Sequence, residues 1–198
     1  LESQLQPRAN FEAYNALKKA IFGYQEEIDR ELISNIPYAS MLVRIGKGPE
    51  SLMILESVVD ENNIWVSADD VYFVIKEGRI IRTRGLPNNL REKNENLGSW
   101  KEGLYDGQSY ISYLSFENPT LNNLKVTSSF KIFEEEIVGL TFGKKNLKLI
   151  EENISSETVG WFKKNKYWID DSGFAWKSEQ HISPRLPPIY IEVTKKPR

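Results

Sequence analysis

Residues 64–84 read IWVSADDVYFVIKEGRIIRTR, and the fold class turns on how this stretch is punctuated. Three β-branched or aromatic runs, Ile64–Ser67, Val71–Ile75 and Arg79–Arg84, are separated by Asp69-Asp70 and Glu77-Gly78. Short turns rich in Gly, Asn and Asp favour antiparallel hairpins. The pattern extends in both directions. Upstream lie Met41–Ile45 and Leu52–Val59, parted by Gly46-Lys47-Gly48-Pro49, with Asp60-Glu61-Asn62-Asn63 leading into Ile64. Downstream come Tyr110–Phe116, Leu124–Ile132, Ile137–Phe142, Asn146–Ile150, Trp161–Ile169, Phe174–Ile182 and Ile189–Thr194. Leu124, Val126, Ser128, Phe130 and Ile132 alternate with Lys125, Thr127, Ser129 and Lys131, which marks a strand with one wet face. Residues 86–103 are polar and rich in Asn, Glu and Gly, and read as a long loop.

A helical period occurs only near the start. Phe11, Tyr14, Leu17, Ile21, Tyr24, Ile28 and Leu32 recur every three or four residues, which predicts an amphipathic helical region over residues 9–34 that Pro37 stops. The expected architecture is mainly β, an antiparallel barrel or half-barrel of about eleven strands with that helical region packed on it. The organisation expected is a single domain over 1–198, with residues 1–35 helical and 36–198 the β domain. No repeat, low-complexity tract or linker divides it.

Composition narrows the function. The 198 residues include no cysteine and one histidine, His181, with 26 Lys+Arg against 28 Asp+Glu. Disulfides, thiolate chemistry and multi-histidine metal sites are therefore excluded. A slightly acidic balance argues against nucleic acid, which calls for a basic patch. The apolar runs fall short of the ~20 residues of a membrane-spanning helix. The aromatic content of 5 Trp, 9 Tyr and 9 Phe stands out.

The apparent motifs carry little chemistry. Gly46-Lys47-Gly48 lacks the third glycine of a phosphate loop and precedes a strand where a helix is required. Residues 139–144, GLTFGK, are one residue short of a Walker A. No G-x-S-x-G elbow accompanies His181, which falls at a strand rim. Asp69-Asp70, Asp170-Asp171 and Glu134-Glu135-Glu136 supply carboxylates, but each reads as a solvated turn; glycoside cleavage needs a pair about 5 to 10 Å apart across a cleft. Among the tryptophans, Trp176 reads as core, and Trp161 and Trp168 have opposite strand parity, so one of them faces outward. Trp100, in the polar loop, is expected to be the exposed one and a binding candidate.

Two segments bring a resemblance. IPYASMLVRIG from Ile36 with IWVSADDVYFVIKEGRIIRTRGLPNNL to Leu90, and YWIDDSGFAWKSEQHISPRLPPIYIEVTKKP from Tyr167, resemble the YjbF/YmcC-type bacterial lipoproteins. These are associated with group 4 capsule and other extracellular polysaccharide secretion. The resemblance rests on the I-P-Y-x-S-M entry, on W-x-S-x-D with its G-R-[IL]-[IL]-x-T hairpin, and on the W-[IV]-D-x-x-[ST]-G ending; residues 91–160 match weakly. The W-x-D-x-x-G hairpin is shared with lipoprotein-carrier-like half-barrels. The resemblance implies a periplasmic protein, lipid-modified at an N-terminal cysteine and attached to the outer membrane, with no established catalytic residues to carry over. This chain has no such cysteine, and cleavage just after the anchor would explain its start at Leu1.

Of the positions shared with the family, Pro37, Gly78, Gly173 and Asp170 have structural explanations in a helix stop and tight turns. Ser40, Arg79, Thr83, Ser178 and Gln180 are polar positions in predicted strands. Ser40, Arg79, Ser178 and Gln180 join Trp100, Trp161 and Trp168 as candidate glycan or partner contacts. The leading expectation is a non-enzymatic lipoprotein supporting polysaccharide production or export by contacting export proteins or glycan, with no cofactor or metal. The rivals are a lipid or acyl-chain carrier with a deep apolar cavity, and a glycan-cleaving enzyme with two carboxylates in one cleft. Unpaired half-barrel edges would allow a homodimer by strand addition.

Overall fold

The computed structural model describes residue 28, residues 30–95, Trp100 and residues 106–197. A short helix, α1 (Arg30–Asn35), precedes β1 (Ser40–Ile45), β2 (Glu50–Val59), β3 (Asn62–Ser67), β4 (Tyr72–Lys76), β5 (Arg79–Arg84) and β6 (Asn89–Glu95). Then follow β7 (Ser109–Glu117), β8 (Leu121–Leu140), β9 (Gly143–Ser156), β10 (Trp161–Ile169), β11 (Ala175–Gln180) and β12 (Ile189–Lys195). These twelve strands form one antiparallel sheet in the order β5-β4-β3-β2-β1-β12-β11-β10-β9-β8-β7-β6. Consecutive strands pair with each other except β5 and β6, and β1 pairs in addition with β12, which closes the two ends of the β region on each other. The outermost strands, β5 and β6, lie side by side, so the sheet curls into a nearly closed barrel. Side chains bridge that seam: the Leu90 N–H donates to Thr83 Oγ1 at 2.9 Å, and the Leu86 N–H to Asn89 Oδ1 at 2.9 Å.

Turn chemistry sets the register. Asp60 and Glu61 between β2 and β3 have φ of 48° and 66°, and Glu77 and Gly78 between β4 and β5 have 48° and 76°. Two consecutive positive φ values give the hairpin turn whose twist matches that of the strands. Alternation then sorts the side chains. Met41, Val43, Met53, Trp65, Phe73, Leu114 and Phe116 point inward into one apolar cluster. Trp100, Phe130, Ile150, Tyr167, Ile169 and Ala175 form a second one. The opposite face of β1 and β2 presents the cross-strand pair Leu42 and Leu52, which α1 covers with Ile33 and Ile36.

The structure revises several expectations. Of the predicted 9–34 helix, residues 9–27 and 29 lie outside the described residues; the described helix is α1, which stops two residues before Pro37. The expected 86–103 loop contains β6, a polar strand held by its ladder to β7 rather than by its own propensity. The predicted strands 124–132 and 137–142 are one twenty-residue strand, β8, bent by a register shift between Ile132 and Glu135. A bulge of this kind breaks the alternation without ending the strand. Trp100, expected to be exposed, is 8% exposed, because it bonds to Glu77 in the β4–β5 turn and packs against Arg79, Phe130 and Tyr167.

That turn is also clamped from across the barrel. Gln180 on β11 donates from Nε2 to the Gly78 carbonyl at 2.8 Å and accepts the Ile80 N–H on Oε1 at 2.9 Å. A Cβ at Gly78 would run into the Cβ of Ala175. Gly78→Ala is therefore expected to cost about 2–4 kcal/mol, from left-handed strain plus overpacking. In urea unfolding the added Ala175→Gly change should recover only the overpacking share; an unchanged midpoint in the single variant would refute the clamp.

Candidate functional site

Strands β8, β9 and β10 alternate as they cross the barrel wall, and four of their inward positions are polar: Ser128, Glu152, Asn165 and Tyr167. Glu152 is wholly buried. Its Oε1 accepts the Ser128 hydroxyl at 2.7 Å, and its Oε2 accepts Asn165 Nδ2 at 3.0 Å and the Tyr167 hydroxyl at 2.9 Å. Burial pushes the Glu152 carboxyl up; Lys93, the bonds from Asn165 and Ser128, and Arg79 outweigh it and hold the carboxyl below its ordinary value. The group is thus an ionised, saturated anchor between strands and a poor proton acceptor.

The cation on the far side is equally enclosed. Arg79, 2% exposed, lays its guanidinium 3.7 Å from the Trp100 ring centre. The Trp100 indole donates to the Glu77 carbonyl, and the ring packs tilted on Tyr167 at 5.0 Å and edge-on to Phe130 at 6.2 Å. Gln180 Nε2 also donates to Ser178 Oγ at 2.9 Å. Asn165 Oδ1 accepts the His181 N–H at 2.6 Å. His181 is half-buried; desolvation, the leading cause, and Lys163 hold its ring below the usual imidazole value.

Of the seven residues singled out from sequence, the structure places Trp100, Arg79, Ser178, Gln180 and Trp161 in this interior. Trp161 lines the same cavity as Glu152 and Gln180. Trp168 lies on the outer face, donating its indole N–H to Glu136 Oε1 at 3.1 Å. Ser40 sits apart, sharing a 2.8 Å hydrogen bond with Thr194. The parity argument for the tryptophans holds: Trp161 is buried and Trp168 partly exposed. Sequence reading missed Glu152 and Asn165, although both continue the inward period of apolar neighbours, Ile150 with Ile154 and Tyr167 with Ile169.

The interior cavity at Glu152 measures about 20 Å³, room for about one water. Ser112 Oγ and Trp161 Nε1 border it without a side-chain partner. Ligand pockets run to about 300–1,000 Å³, so this cavity does not provide the deep apolar space an acyl-chain carrier requires. The acidic clusters are structural as well. Asp170 accepts the Ser172 and Phe174 N–H groups at 2.9 and 3.0 Å, the Ser172 hydroxyl at 2.6 Å and the Trp176 indole at 2.8 Å. Glu135 holds Asn146 and Glu136 holds Trp168. Among the described residues no three His, Asp or Glu side chains gather to hold a metal. Outside the barrel, an open groove of about 680 Å³ runs over β8, β9 and β10.

Comparison with known proteins places this geometry. The model of a family described as "Group 4 capsule polysaccharide lipoprotein gfcB, YjbF" matches residues 14–194. The chain belongs to the YjbF family. Among curated YjbF-family proteins it is 26% identical to the uncharacterized lipoprotein YjbF of Escherichia coli strain K12, over 91% of this chain and 87% of that one. It is 22% identical to the uncharacterized lipoprotein GfcB of the same strain, with the same coverage. The crystal structure of the hypothetical lipoprotein YmcC from Escherichia coli K12 superposes with a TM-score of 0.79 at 20% identity, covering 100% of both chains. That likeness shows that the two chains share a fold.

The Glu152 anchor makes stability depend on pH. A carboxyl held below its ordinary value stabilises the fold above the unfolded-state value near 4.5, and that stability is lost as pH falls through the lowered folded value. Glu152→Gln keeps the shape, removes a negative charge facing Lys93 and Arg79, and turns an amide donor toward Asn165 or Tyr167. Denaturant unfolding at pH 7 should show a loss of about 3–5 kcal/mol. The variant should also show a shallower acid-side decline than the parent below about pH 4.5, with the share of Asp170, likewise held below its ordinary value, retained; equal stability and an unchanged acid limb would contradict the assignment.

Proposed function

We propose that this YjbF-family chain is a non-enzymatic lipoprotein of the periplasm, held at the outer membrane by an N-terminal lipid, that supports production or export of capsular or related extracellular polysaccharide. It acts through its outer surface, by contact with glycan or with export proteins. The observation that carries this reading is the filled interior. The buried polar constellation of Glu152 with its three donors and two cations is consumed in holding strands together. Among the described residues, the cavity beside it, about 20 Å³, is too small for a lipid cargo or a sugar substrate. The family description supports the polysaccharide assignment, and the open groove of about 680 Å³ on the exterior supplies a surface for recognition. Asp170, Glu135 and Glu136 are engaged in a turn and in cross-strand bonds, which favours binding over hydrolysis.

Deleting the gene in a polysaccharide-producing strain and measuring cell-surface uronic acid should give a severalfold fall that the plasmid-borne gene restores. Unchanged surface polysaccharide in the deletion strain would overturn the proposal.

A further inference from the structure

The ladders of β7 to β10 align outward side chains into rows across four strands. In one row Ile111 pairs with Thr127, Thr127 with Ser155, and Ser155 with Phe162. In the next, Ser109, Ser129, Asn153 and Lys164 are aligned in the same way. At the usual strand spacing each row spans about 14 Å, the length of a short oligosaccharide. The following row is of another kind: Lys131, Glu151 and Lys166 alternate in charge, as on an ordinary solvated sheet. The first row sets Thr127 and Ser155 between Ile111 and Phe162, and the second runs from Ser109 through Ser129 and Asn153 to Lys164; the short hydroxyl and amide side chains of both line the groove of about 680 Å³.

Three features give the groove a chemical character. Phe162, which lines the groove, is 61% exposed, and Ile111, at the far end of the same row, is 49% exposed. The centre is hydroxyl and amide, the reverse of a protein interface, which keeps its apolar groups central and its polar groups at the rim. Of the outward lining residues the charged one is Lys164, with no carboxylate among them, in a chain whose net charge is −2. Lys164 also meets Glu151 of the charged row at 2.8 Å, which fixes its ammonium at the groove edge.

We propose that this groove binds an acidic polysaccharide. Thr127, Ser129, Asn153 and Ser155 exchange hydrogen bonds with sugar hydroxyls, and Phe162 stacks on a sugar face. Lys164, on the same outward face, takes a carboxylate at the groove edge. The inference rests on the polysaccharide role proposed above and names its ligand class and its contact surface.

The test is calorimetric titration of the purified chain with polygalacturonate fragments and, in parallel, with neutral dextran. Polygalacturonate should bind at least tenfold more tightly than dextran and weaken as salt is raised. Phe162→Ala and Asn153→Ala should each weaken binding fivefold or more with an unchanged thermal midpoint, since both side chains are exposed. No binding, equal affinity for dextran, or variants that bind like the parent would overturn the proposal. A deletion strain that loses surface polysaccharide while the purified chain binds neither polymer would sink this groove assignment and leave the proposed function standing.

Discussion

The Glu152 carboxylate carries its charge inside the barrel wall, and the hydroxyls of Ser128 and Tyr167, the amide of Asn165, and the fields of Lys93 and Arg79 offset what that burial costs. Each partner comes from a different place in the sheet. Ser128 is on β8, Asn165 and Tyr167 on β10, Arg79 on β5 and Lys93 on β6, so satisfying one carboxylate fixes the relative positions of both sheet edges and the central strands. Around it the same logic repeats on neutral groups. Gln180 ties β11 to the β4–β5 turn, and Trp100 closes over Arg79. The near-closure of the barrel is thus a consequence of polar satisfaction in its interior as well as of apolar burial.

This arrangement divides the molecule by task. Inward positions are committed to packing and hydrogen bonding, and the two turns with paired positive φ hold the strands in the register that keeps them inward. Outward positions are free of that duty. Over most of the exterior they carry the mixed charge of a solvated sheet, as in the Lys131, Glu151 and Lys166 row. The β7–β10 face departs from that pattern, and its departure is chemical: hydroxyls and an amide in the trough, an exposed aromatic at one end, an ammonium group at the border. Outward charged rows are also the opposite of the apolar belt on a membrane-spanning barrel.

Much of the fold is legible in the sequence because its signals are local. The turns at Asp60-Glu61 and Glu77-Gly78 and the alternation from Leu124 to Ile132 identify antiparallel strands directly, and Asp170 caps its turn as its position beside Gly173 implies. What was not legible depends on pairing across the chain. β6 is a strand because β7 lies beside it, and nothing in its Asn, Arg, Glu and Lys composition announces that. The bulge after Ile132 hides the unity of β8. Trp100 was misjudged because its burial is supplied by Arg79, Phe130 and Tyr167, none of them a sequence neighbour. The polar strand positions Arg79, Ser178 and Gln180 were rightly picked out as unusual, yet the direction they face is settled by closure of the barrel. The outer rows were invisible for the same reason, since Ser109, Ser129, Asn153 and Lys164 become neighbours only through register.

The central claim is that the interior polar cluster is architecture and that recognition belongs to the exterior of β7 to β10. Amide chemical-shift mapping of the isotope-labelled chain during titration with polygalacturonate fragments tests this most directly. The account predicts saturable shifts concentrated at Ser109, Thr127, Ser129, Asn153, Ser155 and Phe162, with Glu152, Asn165 and Gln180 undisturbed. Shifts centred on those three interior residues, with the outer rows unmoved, would contradict it.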